Sequence, residues 1–74
     1  QPKREDSLRA ETLARITMTD TNEKTWLQQA LTSLYIQPAN KLLKDTYNQE
    51  IMRLKNDKII SERDRQVLMF DPKP

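Results

Sequence analysis

The segment RITMTDTNEKTW, residues 15–26, decides the fold class because its first five residues fit two different structures. Residues 15–19 alternate polar and apolar side chains and are rich in the β-branched residues that favour strands. The same residues can instead end an N-terminal helix whose apolar face includes Ile16. A strand here requires pairing with a second chain, whereas a helix end predicts a bundle of helices.

The second half of this segment predicts a helix start. Asp20 is followed three residues later by Glu23, as in a capping box, with the Asp20 carboxylate as the N-cap acceptor. The apolar residues that follow share one helical face: Trp26, Leu27, Ala30, Leu31 and Leu34. The pattern indicates an amphipathic helix that ends near Tyr35 and Ile36.

A preceding helix is predicted from Ser7, whose side chain suits an N-cap. Leu8, Leu13 and Ile16 then fall on one face of that helix. We expect residues 1–6 to form a disordered charged tail and residues 7–70 to form a single helical domain.

A third helix is predicted over residues 38–55, because Pro38 suits the first turn of a helix. Its apolar stripe consists of Leu43, Tyr47, Ile51 and Leu54. At ~1.5 Å per residue this helix spans about 27 Å. That is long for so small a domain, so we expect it to project or to pair with another chain.

A fourth, short helix follows a break at residues 56–58, where Asn56 suits a left-handed conformation in a chain without glycine. Ser61 is the predicted N-cap, and the acidic residues after it favour a first helical turn. The helix ends before residues 71–74, which we expect to form a polar tail because Asp71 precedes a proline.

The residue types present narrow the chemistry available to this chain of 74 residues, which has no cysteine, histidine or glycine. The usual nucleophile–base pairs and zinc sites need cysteine or histidine, and phosphate-binding loops need glycine. We therefore expect no enzymatic activity, no cofactor and no metal. The lack of cysteine and of any long apolar run favours a cytoplasmic protein with no membrane partner.

Hydrophobic residues make up 35% of the chain and charged residues 32%, which predicts a thin core for a monomer. A protein partner or a second copy in a homodimer would supply the missing burial. The predicted partner-binding residues are the large apolar ones on the second and third helices: Trp26, Leu34, Tyr47, Ile51 and Leu54.

The net charge of +2 lies entirely within residues 37–56. On the third helix, Lys41, Lys44 and Lys55 line one side, and such a stripe can neutralise the phosphates of DNA or RNA. The favoured interpretation is a solvated flank whose aliphatic lysine stems cover the core.

The run LKNDKIISERDRQVL, residues 54–68, resembles the short C-terminal oligomerisation domains called SHOCT domains. Those domains restart a helix after a pair of isoleucines, as Ile59 and Ile60 precede Ser61 here. Lys58 stands where they usually have glycine. The resemblance implies a helix, a tight connector and a capped second helix.

Residues 15–54 resemble the order of elements in the ribbon-helix-helix family, with LYIQPANKLLKDTY as its turn and second helix. In that family, two chains pair their strands and the outward residues enter the DNA major groove. By resemblance, those residues would be Arg15, Thr17 and Thr19. The sequence departs from the family at Tyr35, where glycine is favoured, and at Asp20, where an apolar residue is common.

Because the segments around residues 15–19 are predicted to be helical, we favour an all-α fold, a small three- to four-helix bundle or helical dimer. A ribbon-helix-helix fold with a strand at residues 15–19 is the alternative. The first fold predicts a non-enzymatic protein-interaction or oligomerisation module of a larger protein. The second predicts a small basic DNA-binding regulator.

Overall fold

The computed structural model describes residues 4–70, apart from the side chain of Glu5, and these residues form four helices with no strand. The helices are α1 (Arg4–Arg15), α2 (Thr21–Ile36), α3 (Lys41–Asn56) and α4 (Glu62–Leu68). α1 packs against α2 and α4, and α3 packs against the same two helices. The predicted all-α bundle is therefore confirmed.

The segment at residues 15–19 is the end of α1 followed by an irregular connector, so the strand alternative is wrong. Arg15 is the last residue of α1. Ile16 and Met18 are buried, while Thr17 and Thr19 are exposed. The alternation seen in the sequence is thus a real pattern of burial, produced by a connector that lies against the core without any strand partner.

α1 begins earlier than the sequence predicts, at Arg4 rather than after Ser7. An ion pair of 3.1 Å between Arg9 Nη1 and Asp6 Oδ1, one turn apart, stabilises this first part of the helix. Residues 4–6 are therefore helical, not tail. The remainder of the predicted tail, residues 1–3, and the C-terminal tail, residues 71–74, lie outside the described residues.

α2 begins as predicted, because Asp20 Oδ1 accepts a hydrogen bond of 3.1 Å from the Glu23 backbone N–H. In a full capping box the Glu23 carboxylate would also accept from the Asp20 N–H, but this second hydrogen bond is not formed at the start of α2. The Glu23 carboxylate instead binds Arg53 of α3, with 2.6 Å between Arg53 Nη2 and Glu23 Oε1. The Glu23 side chain therefore joins α2 to α3 and does not complete the capping box.

α3 begins at Lys41, not at Pro38, because Asn40 is its N-cap and accepts from the Leu43 N–H at 3.2 Å. Pro38 lies in the preceding turn. α3 has 16 residues, the same number as α2, and its buried face lies against other helices of the same chain. The expectation that it projects was wrong, because α2 matches its length and packs against it.

The connector between α3 and α4 contains a left-handed residue, but it is Lys58, with φ of 62°, rather than Asn56. Ile60 is buried after this turn, and Ser61 Oγ caps α4 by accepting from the Asp64 N–H at 3.2 Å. The predicted break after α3 and the predicted cap at Ser61 are therefore confirmed.

The core is one cluster of apolar side chains from the four helices and the connectors between them. Its fully buried members are Leu13, Leu27, Leu34, Tyr47, Ile51, Leu54 and Leu68. The segment after α4 closes the cluster, because Asn48 accepts from the Phe70 N–H at 2.9 Å and donates to the Phe70 carbonyl at 3.0 Å. The Phe70 ring meets Tyr47 edge-on, with 5.2 Å between ring centroids.

The two ends of the bundle are built differently. At one end, Lys24 Nζ donates to the Ala14 and Ile16 carbonyls at 3.1 and 2.7 Å, while Arg53 joins α3 to Glu23 of α2. We call this the clasped end. The opposite end contains the turn between α2 and α3, residues 37–40, together with the beginning of α1, and we call it the turn end.

Candidate functional site

The two most exposed large apolar side chains of residues 4–70 flank the turn between α2 and α3. Leu42 is 79% exposed, Ile36 is 70% exposed, and the neighbouring Tyr35 is about half-exposed. We call these three residues the turn patch. Large contiguous apolar patches on a protein surface often belong to contact surfaces, so the turn patch is a candidate for one.

A groove between α1 and α2 adjoins the turn patch, and Tyr35 belongs to both. We call it the α1–α2 groove, and its volume is about 480 Å³. Its lining includes the apolar residues Ala10, Leu31 and Tyr35 and the polar residues Asp6, Ser7 and Thr32. A concave, mainly apolar surface with a few polar groups is the usual shape of a binding site.

Trp26 is the one predicted partner-binding residue that reaches the surface, with 36% of it exposed. It lies at the edge of the contact between α2 and α3, beside Glu23, Thr46 and Glu50. The cleft that these four residues line has a volume of about 320 Å³. Trp26 is therefore neither a core anchor nor part of the turn patch.

The other four predicted partner-binding residues lie inside the core. Leu34, Tyr47, Ile51 and Leu54 are at most 1% exposed. The apolar stripe of α3 is covered by α2 and α4 of the same chain, so no partner is needed to bury it. A partner could touch these side chains only if the helices separated.

A carboxyl pair lies beside Trp26 in the cleft. Arg53 donates to Glu23 Oε1 at 2.6 Å and to Glu50 Oε2 at 3.3 Å. The pKa of Glu23 is lowered by its hydrogen bond with Glu50 and by Arg53. The pKa of Glu50 is raised by the same hydrogen bond with Glu23 and by partial burial. Glu50 is thus the member of the pair that holds a proton more readily.

The predicted nucleic-acid-binding lysines of α3 do not form one free stripe. Lys44 is half-buried, with its Nζ 6.0 Å from the centre of the Phe70 ring. Lys55 Nζ lies 3.7 Å from Glu62, and hydrogen bonding of that carboxylate to Arg65 holds the pKa of Glu62 at about 2. Lys41 is exposed and begins α3, about 21 Å along the helix from Lys55.

The residues predicted to read DNA from a ribbon lie away from Lys41. Arg15 is at the end of α1, where its Nη2 donates to the Thr12 hydroxyl at 3.5 Å. Thr17 and Thr19 are exposed on the connector that follows. These three residues belong to the clasped end and Lys41 belongs to the turn end, so they share no surface.

Leu42 and Ala10 were missed as site residues by the sequence-based reasoning. Leu42 precedes Leu43, the first residue of the buried stripe of α3, so an apolar residue outside the stripe was the available signal. Ala10 fits the apolar face of α1 and gives no signal of a groove. The groove exists only because Ala10 faces Tyr35 and Leu31 of another helix.

Comparison with known proteins found no matching family model, no matching curated protein and no matching solved structure. Among the described residues, no three acidic side chains are grouped so that they could hold a metal ion. None of the four helices has both the length and the apolar character needed to cross a bilayer.

Proposed function

We propose that this protein is a non-enzymatic helical module that binds another protein through the turn patch and the α1–α2 groove. One observation carries the proposal: Ile36 and Leu42 are more than two-thirds exposed, and Tyr35, the neighbour of Ile36, lines a groove with apolar residues. Neither residue belongs to the buried core cluster, which is formed by other side chains of the same chain.

The mechanism is burial of apolar side chains on both sides of the contact. Removing apolar surface from water contributes about 25 cal/mol per Å², and a large aliphatic side chain contributes about 1.5–3 kcal/mol when fully buried. The polar groups at the groove edge, such as Asp6 and Thr32, would orient the partner. Residues 37–40 present the patch in a fixed geometry, since the Asn40 N–H bonds the Gln37 carbonyl at 3.1 Å.

The test is capture of cellular proteins on the immobilised chain, compared with capture on the variant Ile36→Ser/Leu42→Ser. The matched control is Met52→Ser/Ile59→Ser, which removes two exposed apolar side chains away from the turn patch. We expect the first variant to bind the captured proteins with at least about tenfold lower affinity, a loss of ~1.4 kcal/mol in binding free energy. The control should bind them as the wild-type chain does. Equal capture by both variants would contradict the proposal.

Binding of DNA is the competing function, and it makes a different prediction. A nucleic-acid-binding surface that uses Lys41 and Lys44 requires affinity that falls steeply as salt rises. Under the proposed function, we expect no binding of the chain to duplex DNA at low salt that depends on Lys41 or Lys44, as tested with Lys41→Ala and Lys44→Ala. Salt-sensitive binding that either substitution reduces would favour the DNA-binding hypothesis.

A further inference from the structure

We propose that the α1–α2 groove receives the turn patch of a second copy of this chain, so that two copies form a closed dimer by reciprocal insertion. This inference rests on the proposed function and names the partner. The groove is lined by Ala10, Leu31 and Tyr35, and its volume is about 480 Å³. A cavity of ~150 Å³ accepts a benzene molecule, so the groove has room for large aliphatic side chains.

The turn patch supplies side chains of the required kind. Ile36 and Leu42 are aliphatic, they flank one short turn, and both are more than two-thirds exposed. The turn is already fixed by the hydrogen bond from the Asn40 N–H to the Gln37 carbonyl and by the Asn40 cap on α3. Little conformational freedom is therefore lost when the patch enters a groove.

Each of the two surfaces carries one charge of opposite sign to a charge on the other. The exposed Lys41 lies next to Leu42 of the turn patch. The groove has Asp6 on its α1 wall, where the carboxylate also contacts Arg9. Insertion of the patch brings a lysine toward a carboxylate, an arrangement that favours this orientation over its reverse.

The position of Tyr35 makes the exchange reciprocal. Tyr35 belongs to both the patch and the groove, so the two surfaces are neighbours at the turn end. When the patch of one copy enters the groove of another, a twofold axis near Tyr35 brings the second patch to the first groove. Two identical junctions then close the assembly, as in an isologous dimer, and no open fibre forms.

The first experiment measures association by sedimentation equilibrium from about 1 μM to about 1 mM, a range suited to weak dimers. The patch variant is Leu42→Glu and the groove variant is Ala10→Glu. Their matched controls are Gln49→Glu and Ala14→Glu, which add the same charge at exposed positions of the same helices outside both surfaces. Circular dichroism confirms that all four variants are folded.

We expect the wild-type chain and both controls to dimerise, and each test variant to lose at least about tenfold in association constant, a change of ~1.4 kcal/mol. The decisive measurement is an equimolar mixture of the two test variants. The Leu42→Glu chain keeps its groove and the Ala10→Glu chain keeps its patch, so their heterodimer has one intact junction. Partial recovery of dimer in the mixture is expected, since neither variant has an intact junction alone.

Three results would overturn the inference: a wild-type monomer at every concentration, a dimer unaffected by both substitutions, or no recovery on mixing. A wild-type monomer whose capture of other proteins still depends on Ile36 and Leu42 would overturn the dimer and leave the proposed function standing. A dimer that behaves as expected, with no other protein captured, would identify the second copy as the partner.

Discussion

The clasped end and the turn end of the bundle use their side chains in opposite ways. At the clasped end, the long polar side chains Lys24, Glu23 and Arg53 are engaged in bonds between helices. At the turn end, Ile36 and Leu42 have no apolar neighbour that buries them. Side chains of the clasped end thus bond helices to one another, whereas Ile36 and Leu42 remain exposed to solvent, and substitutions can test this difference.

The largest expected effect compares two leucines of α3. Leu54 is fully buried and Leu42 is 79% exposed. We expect Leu54→Ala to lower the free energy of unfolding by about 2–5 kcal/mol, because it leaves a cavity in the core. Leu42→Ala should change it by no more than about 0.5 kcal/mol. Urea denaturation followed by circular dichroism measures both, and equal losses would remove the distinction between the two ends.

The next comparison concerns two lysines, Lys24 at the clasped end and Lys41 at the turn end. Lys24→Met removes the donor to the Ala14 and Ile16 carbonyls but keeps a similar aliphatic stem. We expect a loss of about 1–2 kcal/mol in the free energy of unfolding, as for hydrogen bonds to charged groups. Lys41→Met, at an exposed position, is the control and should be nearly neutral. A neutral Lys24→Met would show that the clasp adds nothing to stability.

A smaller change, this time an increase in stability, is expected on substitution of Lys58 by glycine. Lys58 has a positive φ of 62° in the connector before α4. A left-handed conformation costs a residue with a Cβ about 1–2 kcal/mol, and glycine avoids this cost. Glycine also loses more backbone entropy on folding, which cancels part of the benefit. We expect Lys58→Gly to raise the free energy of unfolding by up to about 1 kcal/mol. Lys58→Ala should give no such gain, and thermal denaturation of both variants checks the comparison.

The smallest effect concerns pH at the carboxyl pair. The pKa of Glu50 is raised, so its contribution to stability is present in acid and is lost as pH rises through that raised pKa. The pKa of Glu23 is lowered, so its contribution is present at neutral pH and is lost as pH falls through that lowered pKa. Both groups border the only tryptophan in the chain, Trp26.

Glu50→Gln removes the first of these two titrations. We expect the stability of this variant relative to the wild type to increase from about pH 4 to about pH 7, by less than about 1 kcal/mol because the pair is partly exposed. Trp26 fluorescence during urea denaturation reports the transition. Glu11→Gln, which removes an exposed carboxylate of α1, is the control. An unchanged pH profile would show that the carboxyl pair is not coupled to folding.

Sequence patterns predicted the local features of the fold well. The N-caps Asp20 and Ser61 are where their side chains indicated, and the stripe of α3 is buried at Tyr47, Ile51 and Leu54. The start of α1 was placed too late because Ser7 looked like a cap, whereas the helix begins at Arg4 and the ion pair of Asp6 and Arg9 spans Ser7 within it.

The candidate site was much less predictable than the fold. An apolar stripe says that a helix face is buried, but it does not say whether the same chain or a partner buries it. For this reason Leu34 and Leu54 were predicted as partner-binding residues and lie in the core. The exposed residues Leu42 and Ile36 received no such prediction, because exposure depends on the helices that surround them.

The sequence by itself determined four helices, the caps of α2 and α4 at Asp20 and Ser61, and a chain without histidine or cysteine. These features depend on hydrogen bonds and side-chain spacing over a few neighbouring residues. Only the tertiary structure decided that Lys24 caps α1, that Arg53 joins α2 to α3, and that Ile36 and Leu42 stay in water. Those outcomes depend on contacts between residues far apart in the chain, which no local pattern specifies.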